Sequence, residues 1–109
     1  CDRDLPNYPV VETVQKLQDS KTIIIMSGRT DDAQEKTEAW LAKYGIKYQH
    51  IYMRATNDTR KDSIVKQELF KRFVQNKYNV SFILDDRQQV VDMWRALGLT
   101  VFQVAVGDF

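Results

Sequence analysis

Three groups of polar residues in the sequence have the side chains that phosphate chemistry needs. Ser27–Arg29 combine a hydroxyl and a guanidinium, which bind phosphate oxygens. Asp62 and Lys66 stand one helical turn apart, and an ammonium held by a carboxylate neutralises charge on a transferring phosphoryl group. Asp85 and Asp86 are adjacent and could hold a cation. Together the three groups predict phosphate chemistry.

The adjacent carboxylates Asp85 and Asp86 predict a magnesium site. Two such charges repel each other unless a cation lies between them. Mg²⁺ takes one or two carboxylates together with water and phosphate oxygens, so this pair is sufficient. The alternative is that Asp85 caps a helix beginning near Gln88 while Asp86 pairs with Arg87 in solvent.

The other two groups also have structural alternatives. Ser27–Arg29 could form a tight turn with an exposed arginine. Asp62 and Lys66 could form a surface salt bridge worth about 0.3–0.5 kcal/mol. Lys61 competes with Lys66 as the functional lysine, and Lys66 is preferred for its Asp62 partner and its shorter distance in sequence to Asp85.

Composition restricts the class of protein. The 109 residues allow one domain, and 43% apolar with 28% charged residues is typical of a globular chain. Because 16 Lys+Arg oppose 15 Asp+Glu, no bulk field favours nucleic acid or membrane, and any phosphate-binding surface must be local. The single cysteine, Cys1, excludes an internal disulfide and a multi-cysteine zinc site. The longest apolar run, Ile23–Met26, is far below the ~20 residues of a membrane helix.

Hydrophobic periodicity predicts alternating helices and strands. Gly45 and Gly98 are placed to end two of the helices. Trp40 and Trp94 lie on apolar helix stripes and are predicted core residues. The predicted helices are Pro9–Leu17, one from Thr30 or Asp31 to Tyr44, one capped by Asp58 with Ile64, Val65, Leu69, Phe73 and Val74 inward, and Gln88–Leu97; the strands are Thr22–Met26, Tyr48–Met53, Val80–Leu84 and Thr100–Val106. This alternation predicts an α/β domain with a mostly parallel sheet and a site beyond the carboxyl ends of its strands.

The order of these features resembles motifs II, III and IV of the haloacid-dehalogenase phosphatase superfamily. Within it, the phosphatase domain of phage polynucleotide kinase/3′-phosphatase is the nearer resemblance, and it covers nearly the whole chain. The stretches that carry it are Ile25–Arg29, Asp58–Asp62, Asp85–Arg95 and Gly107–Phe109. The resemblance implies a Rossmann-like, doubly wound parallel sheet.

The resemblance also implies a role for each polar group. Ser27 would bind the transferring phosphoryl group and Arg29 the substrate phosphate. Lys66, held by Asp62, would stabilise the phospho-intermediate, and the carboxylates of motif IV would hold Mg²⁺. The implied substrate is a 3′-phosphorylated DNA or RNA end in end repair. Arg54, Arg60 and Lys61 would make weaker contacts to it. The two metal ligands would be Asp85 and Asp86.

The family's nucleophile motif is absent from the sequence. In the family, an aspartate of an Asp-x-Asp-Gly-Thr motif attacks the phosphate and a second aspartate protonates the leaving hydroxyl. That motif ends a central strand lying between the strands that end at Ser27 and Asp85. Asp2 and Asp4 imitate it, but no apolar strand precedes them, and they are predicted to lie in a loop. We therefore expect residues 1–109 to be the C-terminal portion of one such domain, inactive alone and completed by an N-terminal segment of the same protein.

Several alternatives stay open on the sequence. The substrate could be a small phosphorylated metabolite, or the domain could be a receiver-like, non-catalytic module that binds phosphate and Mg²⁺. No Gly-x-x-x-x-Gly-Lys-[Ser/Thr] loop occurs, so kinase activity is not expected of these residues. The sequence leaves open whether a kinase domain is fused upstream and whether the chain forms a homo-oligomer. The resemblance implies the cytoplasm of a phage-infected bacterial cell, without membrane attachment.

Overall fold

The computed structural model describes residues 7–105 and contains mixed helices and parallel strands. Asp2, Asp4, Val106 and the Gly107–Phe109 stretch lie outside the described residues. In chain order the elements are α1 (Tyr8–Leu17), β1 (Ile24–Thr30), a 3-10 turn (Asp31–Ala33), α2 (Gln34–Lys43), β2 (His50–Arg54), α3 (Asp62–Leu69), a π-helical turn (Phe70–Val74), β3 (Ile83–Asp85), α4 (Gln88–Ala96) and β4 (Val101–Gln103). The predicted alternation of helices and parallel strands is confirmed.

The chain divides into two compact units, Cys1–Asp58 and Thr59–Phe109. In the first unit, β1 and β2 form a parallel pair in which Ile24 lies opposite His50. The pairing shifts register between Ser27 and Thr30, because β1 has extra residues there. The predicted end of this strand at Met26 is therefore wrong, since the strand continues through a bulge to Thr30.

The core of the first unit forms where α1 and α2 pack on the β-branched face of the strands. Val11, Leu41 and Ile46 are buried at its centre, with exposed fractions of 6%, 5% and 8%. Partly buried side chains surround them: Val14, Ile25, Trp40, Tyr44, Tyr48 and Ile51. Gly45 ends α2 with a φ of +67°, a left-handed conformation that glycine adopts without steric cost, as predicted.

In the second unit, α3 packs against α4, and α4 contacts a second parallel pair, in which Ile83 of β3 lies opposite Val101 of β4. Its core is apolar and nearly closed to solvent. The members are Val65, Phe70, Val74, Val90, Val91, Trp94 and Val101. Gly98 ends α4 with a φ of +84°, again as predicted.

Two predictions about the third helix are wrong. The helix begins at Asp62 with Lys61 at the N-cap position, so Asp58 does not cap it. Asp58 instead accepts a hydrogen bond from Arg54 through its carbonyl. Ile64 is 49% exposed rather than inward, whereas its neighbour Val65 is 2% exposed. Within residues 7–105, no helix is both long and apolar enough to cross a membrane.

Candidate functional site

A buried lysine lies between two buried carboxylates in the second unit. Lys66 Nζ is 3.3 Å from Asp85 Oδ2 and 3.9 Å from Asp62 Oδ2. The side chains of the three residues are only 11%, 10% and 6% exposed in the order Lys66, Asp85, Asp62. Burying charged groups is costly unless they are paired and hydrogen-bonded, and these are. The sequence alternative of a solvated surface salt bridge is therefore wrong.

Secondary structure explains why these three side chains meet. Asp62 and Lys66 are four residues apart on α3 and therefore share one face of the helix. Val65, beside Lys66, is almost fully buried, so this side of the helix packs against the core. Asp85 is the last residue of β3, and its carboxylate accepts the Lys66 hydrogen bond. The helix start and the strand end thus bring the cluster together.

Arg87 adds a second cation to the cluster. Its Nη1 lies 3.4 Å from Asp62 Oδ2, and its side chain is 35% exposed. Arg87 therefore forms an ion pair with Asp62. Lys66 and Arg87 thus place two cations beside the two carboxylates of Asp62 and Asp85.

Trp94 is also part of this site. Its indole N–H donates to Asp85 Oδ2 over 3.2 Å, so that this oxygen accepts from both Trp94 and Lys66. The other oxygen, Asp85 Oδ1, accepts from the backbone N–H of Asp86 over 2.9 Å. Because α4 has Arg87 at its N-cap position and no side-chain cap, the alternative that Asp85 caps this helix is wrong.

Hydrogen bonds from Gln103 of β4 and from Val104, which follows it, hold the turn after β3 in place. Gln103, the last residue of β4, donates through Nε2 to the carbonyl of Asp86 over 3.2 Å and to Gln88 Oε1 over 3.0 Å. Asp85 O accepts from Val104 N over 3.0 Å. The backbone on both sides of the Asp85 to Asp86 peptide is therefore held, while the Asp86 side chain is exposed.

Asp85 and Asp86 supply the donors that a magnesium ion would use at this turn. Among the described residues, no group of three or more His, Cys, Asp or Glu side chains could hold a metal ion. Mg²⁺ needs only one or two carboxylates when water and phosphate complete its shell. Asp86 offers an exposed carboxylate, and Asp85 Oδ1 keeps one lone pair beyond its hydrogen bond with the Asp86 N–H.

In the first unit, Ser27 and Arg29 lie at the bulge of β1. The hydroxyl oxygen of Ser27 accepts a hydrogen bond from the Arg29 backbone N–H over 3.1 Å, which shapes the bulge. This leaves the Ser27 hydroxyl proton able to donate to an acceptor such as a phosphate oxygen. The Arg29 side chain is exposed. The turn interpretation and the phosphate interpretation of this segment are thus compatible.

The three weaker candidates occupy different surroundings. Arg54 ends β2 and donates through Nη1 to the Asp58 carbonyl over 3.2 Å. Arg60 forms a two-point ion pair with Glu68, with N–O distances of 2.6 and 3.1 Å. Lys61 is exposed at the start of α3, whereas Lys66 is buried beside Asp85. Geometry therefore separates the two lysines that compete in the sequence.

Sequence reasoning missed three residues of the site: Arg87, Trp94 and Gln103. Of these three, only Trp94 had a signal in the sequence that could have placed it in the site. Trp94 follows Val90 and Val91 on the buried stripe of α4, and a buried indole N–H requires an acceptor, which a nearby strand-end carboxylate supplies. Arg87 and Gln103 gave none, because their partners depend on how separate elements pack.

Solved structures of high similarity come from RNA repair assemblies. In the structure of a Pnkp1/Rnl/Hen1 complex, one chain superposes with a TM-score of 0.95 and 51% identity over 99% of this chain and 38% of its own length. The structure of the Pnkp1/Rnl/Hen1 RNA repair complex gives the same TM-score and identity, with 99% of this chain and 35% of that chain covered.

A curated relative and a family model agree with this likeness. A protein of Autographa californica nuclear polyhedrosis virus, named "Putative bifunctional polynucleotide kinase/RNA ligase", is 43% identical over 84 residues, which are 75% of this chain and 12% of that protein. The chain thus spans a small part of the relatives that it matches. The model of the polynucleotide kinase PNKP phosphatase domain matches residues 1–109, which confirms the resemblance predicted from the motifs. The chain belongs to the family of polynucleotide kinase PNKP phosphatase domains.

Proposed function

We propose that this chain is the C-terminal portion of a Mg²⁺-dependent phosphatase domain that removes 3′-phosphates from nucleic-acid ends. The reaction consumes water and releases a 3′-hydroxyl and inorganic phosphate. Family membership supports the reaction class. Below, the full-length chain that carries these residues is called the complete protein.

One observation carries the proposal: the Lys66 ammonium is held between Asp62 and Asp85 at the carboxyl end of β3. Ligands of α/β sheets bind beyond the carboxyl ends of the strands. An ammonium fixed there stabilises negative charge on a phosphoryl group without reorganising during the reaction. Lys66 is therefore the proposed motif III lysine, with Asp62 as the residue that positions it.

The carboxylates of Asp85 and Asp86 are the proposed ligands of Mg²⁺. Their oxygen donors, one buried and partly hydrogen-bonded and one exposed, suit a hard cation. When bound, the ion would neutralise charge on the phosphate oxygens.

Ser27 and Arg29 are proposed to bind the substrate phosphate from the first unit. The Ser27 hydroxyl can donate a hydrogen bond, and the exposed guanidinium of Arg29 matches two phosphate oxygens. Arg54, Arg60 and Lys61 are the proposed weaker contacts to the strand. Since Arg60 is already paired with Glu68, its contact with a substrate requires exchange of that partner.

The substrate class and partners are proposed from the relatives. The similar solved chains belong to RNA repair assemblies with Rnl and Hen1, and the viral relative is named for RNA ligation. We therefore propose RNA 3′ ends as substrate, with an RNA ligase and a Hen1-like protein as partners. A bacteriophage source stays a prediction, as does the cytoplasm of an infected host cell.

For the complete domain we propose the doubly wound parallel sheet of haloacid-dehalogenase type that the resemblance implies. Within the described residues, each of the two units contains one parallel pair of strands. The central strand, with the nucleophilic aspartate, would come from a segment of the complete protein outside these residues. On this proposal the 109-residue chain alone has no turnover.

The test is release of inorganic phosphate by the complete protein with Mg²⁺. The substrates are one RNA oligonucleotide with a 3′-phosphate, the same oligonucleotide with a 5′-phosphate, and a sugar phosphate. The proposal predicts release from the 3′-phosphate alone and loss of release in Asp86→Asn. Equal release from the sugar phosphate would instead favour a metabolite phosphatase, and stable phosphorylation without release would favour the non-catalytic module.

A further inference from the structure

The indole of Trp94 is buried in the core of the second unit, yet its polar edge faces a carboxylate. The residue is 3% exposed. Its N–H donates to Asp85 Oδ2 over 3.2 Å, a side-chain acceptor that carries charge. A buried tryptophan could be satisfied by a backbone carbonyl, so the choice of this acceptor needs a reason.

Two donors meet at Asp85 Oδ2, and they differ in rigidity. Lys66 Nζ lies 3.3 Å away, but a lysine ammonium is a point charge on a flexible stem with three rotatable donors. The Trp94 N–H has one direction, fixed by its ring. That ring packs edge-to-face on Phe70, with centroids 5.4 Å apart and an interplanar angle of 72°. The tryptophan is therefore the more rigid of the two donors to Oδ2, and the lysine supplies charge.

The two oxygens of Asp85 consequently have separate tasks. Oδ2 is occupied by the indole and the ammonium. Among the described residues, Oδ1 accepts one hydrogen bond, from the Asp86 N–H, and keeps a lone pair. Rotation of the carboxylate would exchange these oxygens. Since Mg²⁺ demands near-ideal octahedral geometry, the direction of that lone pair decides how well the ion is held.

We propose that Trp94 is a positioning residue for the Asp85 carboxylate, and that its N–H holds Oδ2 so that Oδ1 is directed to the metal and phosphate. This inference rests on the proposed function, because it assigns Asp85 as a magnesium ligand. Partners that orient a metal ligand in this way typically contribute about 10- to 100-fold to metal affinity or activity.

A first experiment reads the hydrogen bond directly in the complete protein. The indole N–H signals are recorded by proton–nitrogen NMR, and the Trp94 signal is assigned by its loss in Trp94→Phe. A hydrogen bond to a carboxylate shifts this proton downfield, so Asp85→Asn should move it upfield while the Trp40 signal stays in place. A Trp94 signal that does not move would overturn the proposal.

A second experiment separates the N–H from the bulk of the ring. The complete protein is prepared with β-(3-benzothienyl)alanine at position 94, which keeps the ring shape but has sulfur in place of the N–H. Mg²⁺ affinity without substrate is measured by calorimetry, and phosphate release is titrated with Mg²⁺. We expect the Mg²⁺ concentration for half-saturation to rise about tenfold or more in both.

Trp40→Phe is the matched control, because Trp40 packs against the core of the first unit. It should leave the Mg²⁺ half-saturation within twofold of the wild type. If the benzothienyl variant behaves like this control, Trp94 is only a core residue and the proposal is overturned. If the wild type releases no phosphate but binds Mg²⁺ tenfold more tightly than the variant, the proposed function fails while the positioning role stands.

Discussion

Lys66→Met removes the ammonium between two buried carboxylates and keeps most of the apolar stem, so it perturbs the charge of the cluster more than its packing. Asp62 would keep Arg87 as a partner at 3.4 Å, and Asp85 would keep the hydrogen bonds from Trp94 and Asp86. The cluster would nevertheless change from two cations facing two carboxylates to one cation facing two carboxylates. A carboxylate that is 10% exposed would then lack a neutralising partner.

The size of the effect follows from this geometry. Removing one partner of a buried ion pair typically costs about 3–5 kcal/mol. Because Asp85 keeps two hydrogen bonds, we expect the lower end, a loss of about 3 kcal/mol in the free energy of unfolding. Lys61→Met is the matched control, since Lys61 is an exposed lysine only five residues earlier, and it should cost no more than about 0.5 kcal/mol.

Urea denaturation of the complete protein, followed by tryptophan fluorescence, measures both variants. Adding Asp85→Asn to Lys66→Met removes the unpaired charge, so the double variant should be more stable than the sum of the two single losses predicts, by about 1 kcal/mol or more. Equal stability of Lys66→Met and Lys61→Met would contradict this prediction, because the cluster would then contribute nothing measurable to the stability of the fold.

Three further changes test the surroundings of the cluster by the same denaturation assay. Gly98→Ala should lower the free energy of unfolding by about 1–2 kcal/mol, because the φ of Gly98 is +84° even though a Cβ there would meet no atom within 4 Å. An unchanged stability would show that the backbone relaxes. Arg60→Ala should cost at most about 1 kcal/mol, because its ion pair with Glu68 is roughly half exposed; a larger loss would indicate a structural role. Gln103→Ala should cost about 1 kcal/mol by releasing the Asp86 carbonyl, and unchanged stability would contradict that contact.

Much of the fold was predictable because it depends on local patterns. The end of α4 at Gly98 and the end of α2 at Gly45 follow from the freedom of glycine to adopt positive φ. The exposure of Ile64 was not predictable, because the polar residues Asp62 and Lys66 lie with Val65 on the buried face of α3 and leave Ile64 outside it. After α3, Phe70–Val74 form a π-helical turn, which changes the angular spacing of the side chains there.

The residue types of the site were predictable, but most of the contacts between them were not. Asp62 and Lys66 pair through helical spacing, which a sequence reveals directly. Their meeting with Asp85 depends on where β3 lies beside α3, and the Trp94 hydrogen bond depends on the packing of α4. The extension of β1 through Ser27 depends on a bulge, which alternation of side chains does not encode.

Whether the buried lysine serves phosphate transfer is tested most directly by the rate of phosphate release from a 3′-phosphorylated RNA by the complete protein with Mg²⁺. Folded Lys66→Met is compared with Lys61→Met under saturating substrate. This role predicts a loss of about 10²- to 10³-fold for the first, as for removal of one donor that stabilises developing charge, and a rate within a few-fold of the wild type for the second. Equal rates in the two variants, or a loss confined to Lys61→Met, would contradict it.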